Sequence, residues 1–145
     1  MYAYRLLSYR ARSQKELEHR LSLKGFPDDD IRKTIEHLKG YGYLDDLSLA
    51  SNLRRHASDR KLLGKEGAKQ FLRQRGIQRQ DVETAISDYD ELPSALSLIN
   101  KKMKTLREYP YSVTVKKLSG ALARKGYSSQ TIRKALKLSE EEIRI

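Results

Sequence analysis

The stretch Leu72-Arg73-Gln74-Arg75-Gly76-Ile77 decides the fold, because it occurs in similar form twice more in the chain. The other copies are Leu21-Ser22-Leu23-Lys24-Gly25-Phe26 and Leu122-Ala123-Arg124-Lys125-Gly126-Tyr127. Each copy has leucine four residues before the glycine, a cation just before it and a bulky apolar residue just after it. Aliphatic residues follow six and ten positions after the glycine. The glycines lie 51 and 50 residues apart, which predicts a structural unit that occurs three times.

Each copy has the features of a helix end. A glycine after an apolar-periodic stretch can take the left-handed conformation that closes a helix, and the cation before it lies at the negative end of the helix dipole. Twelve residues upstream of the glycines stand Ser13, Gly64 and Thr114, which are accepted N-cap types. Ser13 with Glu16 forms a capping-box pattern. The middle helix of each unit is therefore predicted to begin at about residue 14, 65 or 115.

A helix with an apolar face precedes each middle helix and another follows it. The sequence thus predicts an all-α protein of three tandem three-helix, helix-turn-helix-like repeats at residues 1–43, 44–89 and 90–138. Residues 139–145, with three successive glutamates, are expected to form an acidic tail that frays. Because one such repeat buries little apolar surface alone, the repeats are expected to stack into an elongated, curved array.

Composition excludes several classes of protein. The chain of 145 residues has thirty Lys and Arg against nineteen Asp and Glu, a net charge of +11, and no cysteine, so it has no disulfide framework and no thiolate site. Neither a secretory signal nor an apolar run long enough to span a bilayer is evident, which predicts a cytoplasmic protein with no membrane partner. The positive charge favours nucleic acid or an acidic protein surface as partner.

Signs of catalysis are weak. The three histidines, His19, His37 and His56, are too far apart in sequence for a compact metal site. Residues 64–69 look superficially like a phosphate loop but lack its spacing and its GK[ST] ending. The adjacent Asp45 and Asp46 are interpreted as a helix cap. We therefore expect no enzymatic activity, cofactor, metal or small-molecule substrate.

The residues Gly42-Tyr43-Leu44-Asp45-Asp46, followed by Leu49-Ala50, Gly64 and the stretch at 72–77, closely resemble the signature of the RecX family. The resemblance covers nearly the whole chain. Departures are Leu49 where the family usually has Phe, Gly67-Ala68 where it often has Arg-Ile, and Phe71 in place of a common Glu.

The RecX resemblance implies tandem three-helix repeats and regulation of the RecA recombinase in homologous recombination, DNA repair and the SOS response. It implies binding within the groove of the RecA filament on single-stranded DNA, with double-stranded DNA as a further candidate partner. It also implies inhibition of recombinase and DNA-dependent ATPase activity, and limited or reversed filament growth.

Charge locates the candidate binding surface. Residues 1–47 carry a net charge of +1, residues 48–88 carry +4 and residues 89–145 carry +6, so the second and third repeats are expected to supply the basic surface. Lys65, Lys69 and Arg73 recur every four residues and form a like-charge stripe on one predicted helix. The candidate DNA or filament contacts are Arg54, Arg55, Lys65, Lys69, Arg73, Arg75, Arg79, Lys101, Lys102, Lys116, Lys117, Arg124, Lys125, Arg133 and Lys134.

The turn between the first two repeats is a second candidate feature. It comprises Gly42, Tyr43, Leu44, Asp45 and Asp46, and one of the two aspartates is expected to cap the next helix. Tyr41 and Tyr43 could stack on bases or contact a protein, but packing at the repeat junction is the favoured interpretation.

The alternative function is direct reading of duplex DNA by tandem helix-turn-helix units, with the start of each third helix facing the bases. In the first repeat these residues are Asp28, Asp29 and Asp30, which would repel phosphates. The second and third repeats offer compatible residues, namely Gln78, Arg79 and Gln80, and Ser128, Ser129 and Gln130.

Overall fold

The computed structural model describes residues 2–144, and within this range the chain forms ten α-helices and no strand. The prediction of an all-α protein built on tandem three-helix repeats is confirmed, with one helix more than the nine expected. The helices are α1 (Tyr2–Tyr9), α2 (Gln14–Lys24), α3 (Asp28–Gly40), α4 (Asp46–Asp59), α5 (Lys65–Gln74), α6 (Arg79–Ile86), α7 (Leu92–Leu106), α8 (Tyr111–Arg124), α9 (Ser129–Leu138) and α10 (Glu140–Arg144).

The three glycines end α2, α5 and α8 as predicted. Gly25, Gly76 and Gly126 have φ of 99°, 83° and 88°, the left-handed region that L side chains rarely adopt. The residue after each glycine donates its backbone N–H to the carbonyl of the leucine five positions earlier, at 3.1–3.2 Å. This is the hydrogen bond of a Schellman motif. All three leucines are buried. Each glycine turn therefore ends one helix and is bonded to a leucine of the core.

The predicted helix starts are confirmed at Ser13 and Gly64 and wrong at Thr114. Ser13 is the N-cap of α2, with its hydroxyl accepting from the Glu16 amide at 3.1 Å while the Glu16 carboxylate accepts from the Ser13 amide at 2.9 Å. In contrast, α8 begins at Tyr111 because Pro110 precedes it with an extended backbone (φ −59°, ψ 154°). Proline suits this position since it has no N–H to lose. Thr114 lies buried inside α8.

We expect Ser13→Ala to lower the free energy of unfolding by about 1 kcal/mol, because the substitution removes a buried N-cap hydroxyl. Urea denaturation followed by circular dichroism measures this. Ser97→Ala is the matched control. Ser97 is solvent-exposed and lies in the middle of the α7 sequence, where alanine favours the helix and should not lower stability. Equal midpoints for Ser13→Ala and the wild type would contradict the predicted role of the cap.

The chain divides into two compact units whose boundaries fall inside α4, α5 and α6. Unit 1 comprises the residues up to Leu53 together with Phe71–Ala85, and unit 2 comprises Arg54–Gln70 together with the residues from Ile86 onward. The core of unit 1 contains the buried leucines and isoleucines of α1–α3 and Leu44. The core of unit 2 is formed by apolar residues of α7, α8, α9 and α10 with Tyr127.

The C-terminal residues differ from the prediction. Residues 139–145 were expected to fray, but Glu140–Arg144 forms α10 and Ile143 is buried in the core of unit 2. The Arg144 guanidinium pairs with the Glu140 carboxylate at 3.1 Å and lies 4.1 Å from the centroid of the Tyr111 ring. The expectation of fraying is therefore wrong for these residues, and Ile145 lies outside the described residues.

Candidate functional site

In unit 1, the start of α2 packs directly on the glycine turn that follows α5. We call this contact the first junction, formed by Ser13–Glu16 and Arg75–Ile77. A Cβ atom on Gly76 would lie 2.5 Å from the Ser13 hydroxyl oxygen, so the approach requires glycine. Arg75 Nε donates to Glu16 Oε2 at 2.9 Å, and its Nη2 donates to the Ala11 carbonyl at 3.1 Å. Arg75 thus holds the capping carboxylate of α2 in place.

The same contact recurs in unit 2 between the start of α5 and the glycine turn that follows α8. We call it the second junction, formed by Gly64–Gly67 and Lys125–Tyr127. The Gly64 amide donates to the Lys125 carbonyl at 2.9 Å, and the Glu66 amide donates to the Gly126 carbonyl at 3.2 Å. A Cβ atom on Gly67 would lie 2.2 Å from the Lys125 carbonyl oxygen. The two backbones are therefore in direct contact.

Glu91 is the polar centre of the second junction. Its side chain is buried, and Oε2 accepts from the Lys65 amide at the start of α5 at 2.6 Å. Oε1 accepts from both the Ser128 amide (3.0 Å) and the Ser128 hydroxyl (2.7 Å) at the start of α9. Burial alone would raise the pKa of Glu91, but these hydrogen bonds to the ionised form lower it below its ordinary value. One carboxylate thus joins the starts of two helices.

The loop between α4 and α5 is held by side chains of unit 2. The consecutive carbonyls of Lys61–Leu63 accept from Lys125 Nζ (3.1 Å), the Tyr127 hydroxyl (2.8 Å) and the Tyr89 hydroxyl (2.7 Å). Leu62 has a φ of 52°, which is costly for a leucine. Burial raises the pKa of both tyrosines, so they remain hydrogen-bond donors at neutral pH.

Several of the predicted contact cations are engaged within the chain. Arg54 pairs with Asp88 and lies over the Tyr89 ring at 5.6 Å, and Lys69 pairs with Glu66 at 3.6 Å. The junction residues Arg75 and Lys125, described above, are also engaged within the chain. Because the side chains of Arg75 and Lys69 are only 19% and 17% exposed, this geometry favours structural roles for them over contact with an external anion.

The other predicted cations lie mainly at the surface. Lys65 is half-buried, while its backbone amide binds Glu91. Lys117 Nζ lies 4.9 Å from the centroid of the Tyr109 ring. The exposed predicted cations are Arg55, Arg73, Arg79, Lys101, Lys102, Lys116, Lys117, Arg124, Arg133 and Lys134.

The net charge is concentrated in unit 2. Unit 1 holds twelve Lys and Arg against ten Asp and Glu, a net charge of +2, whereas unit 2 holds eighteen against nine, a net charge of +9. The boundary within α5 assigns Lys65 and Lys69 to unit 2 and Arg73 to unit 1. The predicted stripe therefore belongs to one helix but to two compact units.

Comparison with known proteins identifies the family. A model of the first three-helix domain of RecX matches residues 1–38, and a model of the third three-helix domain matches residues 88–136. The regulatory protein RecX of Prosthecochloris aestuarii is 35% identical over 130 residues, which cover 90% of this chain and 85% of that protein. The chain belongs to the RecX family. The regulatory protein RecX of Chlorobaculum tepidum is 32% identical over 94% of this chain and 85% of its own.

Solved structures agree with this fold. The crystal structure of RecX from Lactobacillus salivarius aligns with a TM-score of 0.84 at 23% identity, covering 97% of this chain and 93% of that one. A second crystal structure of regulatory protein RecX aligns with a TM-score of 0.80 at 24% identity, over 93% and 71% of the two chains. The RecX relatives are regulatory proteins by name, and a regulatory role follows for this member of the family.

The turn that carried the RecX resemblance positions both of its aspartates. Gly42 has a φ of 77° and, with Tyr43, closes α3. Asp45 caps α4 by accepting from the Ser48 amide at 3.1 Å, as predicted. Asp46 instead accepts from the Gln14 amide at the start of α2, at 2.9 Å, and burial raises its pKa.

The aromatic residues of this RecX turn are more exposed than expected. Tyr41 is 70% exposed and Tyr43 is 58% exposed. Tyr43 meets the Tyr4 ring edge-on with centroids 5.3 Å apart, and Tyr41 lies beside His37 at 4.6 Å. The favoured interpretation that both tyrosines pack at the repeat junction is therefore wrong, while Leu44 between Tyr43 and Asp45 is buried.

The third helices of the RecX repeats start in three different ways. Asp28–Asp30 are exposed in the first turn of α3, where carboxylates favour the helix dipole. Gln78, Arg79 and Gln80 are exposed at the start of α6. At α9 the Ser128 hydroxyl accepts from the Thr131 amide at 3.2 Å and donates to Glu91, so this side chain is already used within the fold.

Two features of this RecX-family chain were missed at the level of sequence. The first is Glu91. The acidic pair Asp90-Glu91 repeats the pair Asp45-Asp46 that lies forty-five residues earlier, and this recurrence could have identified Glu91 as a candidate residue. The second is Lys15, which was not among the candidate contacts although it lines a basic pocket.

Within residues 2–144, no group of three or more His, Asp or Glu is arranged to hold a metal ion. In the same part of the chain, no helix is long and apolar enough to cross a membrane.

Proposed function

We propose that this protein regulates the RecA recombinase by binding within the groove of RecA filaments on single-stranded DNA and inhibiting recombinase and DNA-dependent ATPase activity. The observation that carries the proposal is the net charge of +9 on unit 2, taken together with membership of the RecX family. A filament on DNA offers both phosphates and acidic protein surface to such a unit. The proposed action is non-enzymatic, needs no cofactor, and takes place in the cytoplasm.

The exposed cations of α7, α8 and α9 are the proposed contacts in unit 2. Lys101, Lys102, Lys116, Lys117 and Arg133 extend from helices whose opposite faces are buried in one core. A helix fixed on its apolar side holds its charged side in place, so little order has to be created on binding. Lys and Arg that neutralise phosphates release counterions, and the affinity then falls with salt.

Arg75, Lys125 and Lys69 are left out of the proposed contact surface. Each has an intramolecular partner, and Arg75 and Lys125 additionally hold the two junctions together. Drawing either away from its partner would leave an unsatisfied polar group, which costs about 1–3 kcal/mol.

The rival function is sequence-specific reading of duplex DNA through helix-turn-helix units. The exposed start of α6, with Gln78, Arg79 and Gln80, favours it. The acidic start of α3 and the engaged Ser128 at α9 leave α6 as the one fitting start among the three third helices of the described residues. A single such helix start gives little sequence information, since most specific readers pair two half-sites.

The test is to add the purified protein to preformed RecA filaments on single-stranded DNA and to follow ATP hydrolysis. We expect hydrolysis to fall as protein is added and the inhibition to weaken as salt rises, because charge contacts are screened. The reaction without protein and one with the same protein unfolded serve as controls. Unchanged hydrolysis together with tight binding to one duplex sequence would overturn the proposal in favour of the DNA reader.

A further inference from the structure

Unit 1 contains a basic pocket beside the first junction. It has a volume of about 310 Å³ and is lined by Lys15, Arg73, Gly76, Ile77, Gln78 and Arg79. The three cations come from three different helices, α2, α5 and α6, and none of the lining residues is a carboxylate. The pocket also contains the residue that opens α6, since the Gln78 carbonyl accepts the first intrahelical bond from the Val82 amide at 2.9 Å.

The second junction shows what occupies the equivalent position there. Counted from the repeat glycines, the three cations of the pocket correspond to Glu66, Ala123 and Ser129, so the second junction has no basic residue at these positions. Gln78 corresponds to Ser128, whose amide and hydroxyl both bind the Glu91 carboxylate. An anion therefore sits at the start of α9, and it is supplied by the chain itself.

The first junction has the three cations, but its acidic residue does not line the pocket. Asp46, the counterpart of Glu91, is shorter by one methylene and accepts from the Gln14 amide. Burial, and to a smaller degree the charge of Asp81 in the first turn of α6, raise the pKa of Asp46, but Asp81 does not line the pocket. The pocket at the start of α6 is thus lined by three cations, and the carboxylate of the first turn, Asp81, does not line it.

We propose that the pocket formed by Lys15, Arg73 and Arg79 at the start of α6 binds a phosphate group of a nucleic-acid backbone. Arginine presents paired donors that match phosphate oxygens, lysine adds a compact charge, and the first amides of a helix favour an anion. The volume admits a phosphate with part of its sugar. This inference rests on the proposed function in one respect only, which is that the filament brings single-stranded DNA to the protein.

The experiment measures binding of a fluorescent oligothymidine and of a duplex of equal length to the full chain, without RecA, over a series of salt concentrations. The triple variant Lys15→Gln/Arg73→Gln/Arg79→Gln is expected to bind the oligothymidine about tenfold more weakly. Its slope of log affinity against log salt should be smaller by about 0.7, the value for one single-strand phosphate. Circular dichroism checks that all variants fold.

The matched control is Arg5→Gln/Lys24→Gln/Lys33→Gln, which removes the same charge from exposed positions of unit 1 that do not line the pocket. Equal losses in the two triple variants would overturn the proposal, because the general field alone would then explain them. Tight binding of inorganic pyrophosphate that is lost in the pocket variant, with oligothymidine binding unchanged, would also overturn it and assign the pocket to a free phosphate compound.

The outcomes for the pocket and for the proposed function are separable. A protein that fails to inhibit RecA but shows the pocket-specific loss of oligothymidine binding contradicts the proposed function alone. A protein that inhibits RecA but loses oligothymidine affinity equally in both triple variants contradicts the pocket alone.

Discussion

Replacing Glu91 with glutamine is expected to lower the free energy of unfolding of the protein by about 3 kcal/mol. The Glu91 carboxylate accepts three hydrogen bonds, from the Lys65 amide, the Ser128 amide and the Ser128 hydroxyl. A glutamine side chain has one oxygen and one NH₂ group, so one of these buried donors would face another donor. Leaving a buried donor unpaired costs about 1–3 kcal/mol, and hydrogen bonds to charged groups lie at the upper end.

The effect of Glu91→Gln should also depend on pH. Because the pKa of Glu91 is lower in the folded protein than in the unfolded chain, its ionised form contributes stability at pH values above the unfolded pKa of about 4.3. That contribution is lost as the pH falls through the lower, folded value. The difference in stability between wild type and variant should therefore be full at neutral pH and should shrink in acid.

Urea denaturation at a series of pH values measures both effects. Glu108→Gln is the matched control, since Glu108 is an exposed carboxylate of the same unit, and it should change stability by less than about 0.5 kcal/mol. A loss in Glu91→Gln that stays constant from neutral to acidic pH would show that packing, and not the ionised carboxylate, holds the second junction.

The course of the chain within each repeat could be predicted because it depends on local chemistry. A glycine with leucine four residues before it defines both a left-handed turn and a core position, and Leu21, Leu72 and Leu122 are buried accordingly. The start of α8 could not be found in the same way. The repeat register favoured Thr114, but Pro110 takes the N-cap position with an extended backbone, and the helix begins at Tyr111.

The partners of individual charges could not be predicted, because they depend on residues distant in sequence. Arg75 looked like the other surface cations until the fold brought it against Glu16, fifty-nine residues earlier. Arg73 and Arg79 were recognised as candidates, but their neighbour Lys15 comes from another repeat. Net charge along the sequence locates a basic part of the chain, whereas only packing decides which of its cations remain available.

Reversing the charges of Lys65, Lys69 and Arg73 to glutamate is expected to abolish inhibition of DNA-dependent ATP hydrolysis by RecA. The three residues follow one another every four positions on α5. If Lys65 and Arg73 each make one charge-assisted contact worth about 1.5 kcal/mol, the loss of both weakens binding to the filament by at least about 100-fold. Since the substituted carboxylates would also repel DNA phosphates, this value is a lower limit. ATP hydrolysis by preformed filaments at several protein concentrations measures the change.

A neutral version of this substitution distinguishes lost contact from lost folding. In Lys65→Gln/Lys69→Gln/Arg73→Gln the like-charge repulsion along α5 disappears, which should stabilise the helix by a few tenths of a kcal/mol per pair, while the lost Lys69–Glu66 pair offsets part of that gain. Stability should therefore stay nearly constant while inhibition falls. Arg5→Glu/Lys24→Glu/Lys33→Glu changes the charge by the same amount in unit 1 and should retain inhibition. Full inhibition by the glutamate variant of α5 at moderate salt would exclude this helix as a contact, because reversing three charges, a change of six units, at a phosphate-binding face must lower the affinity.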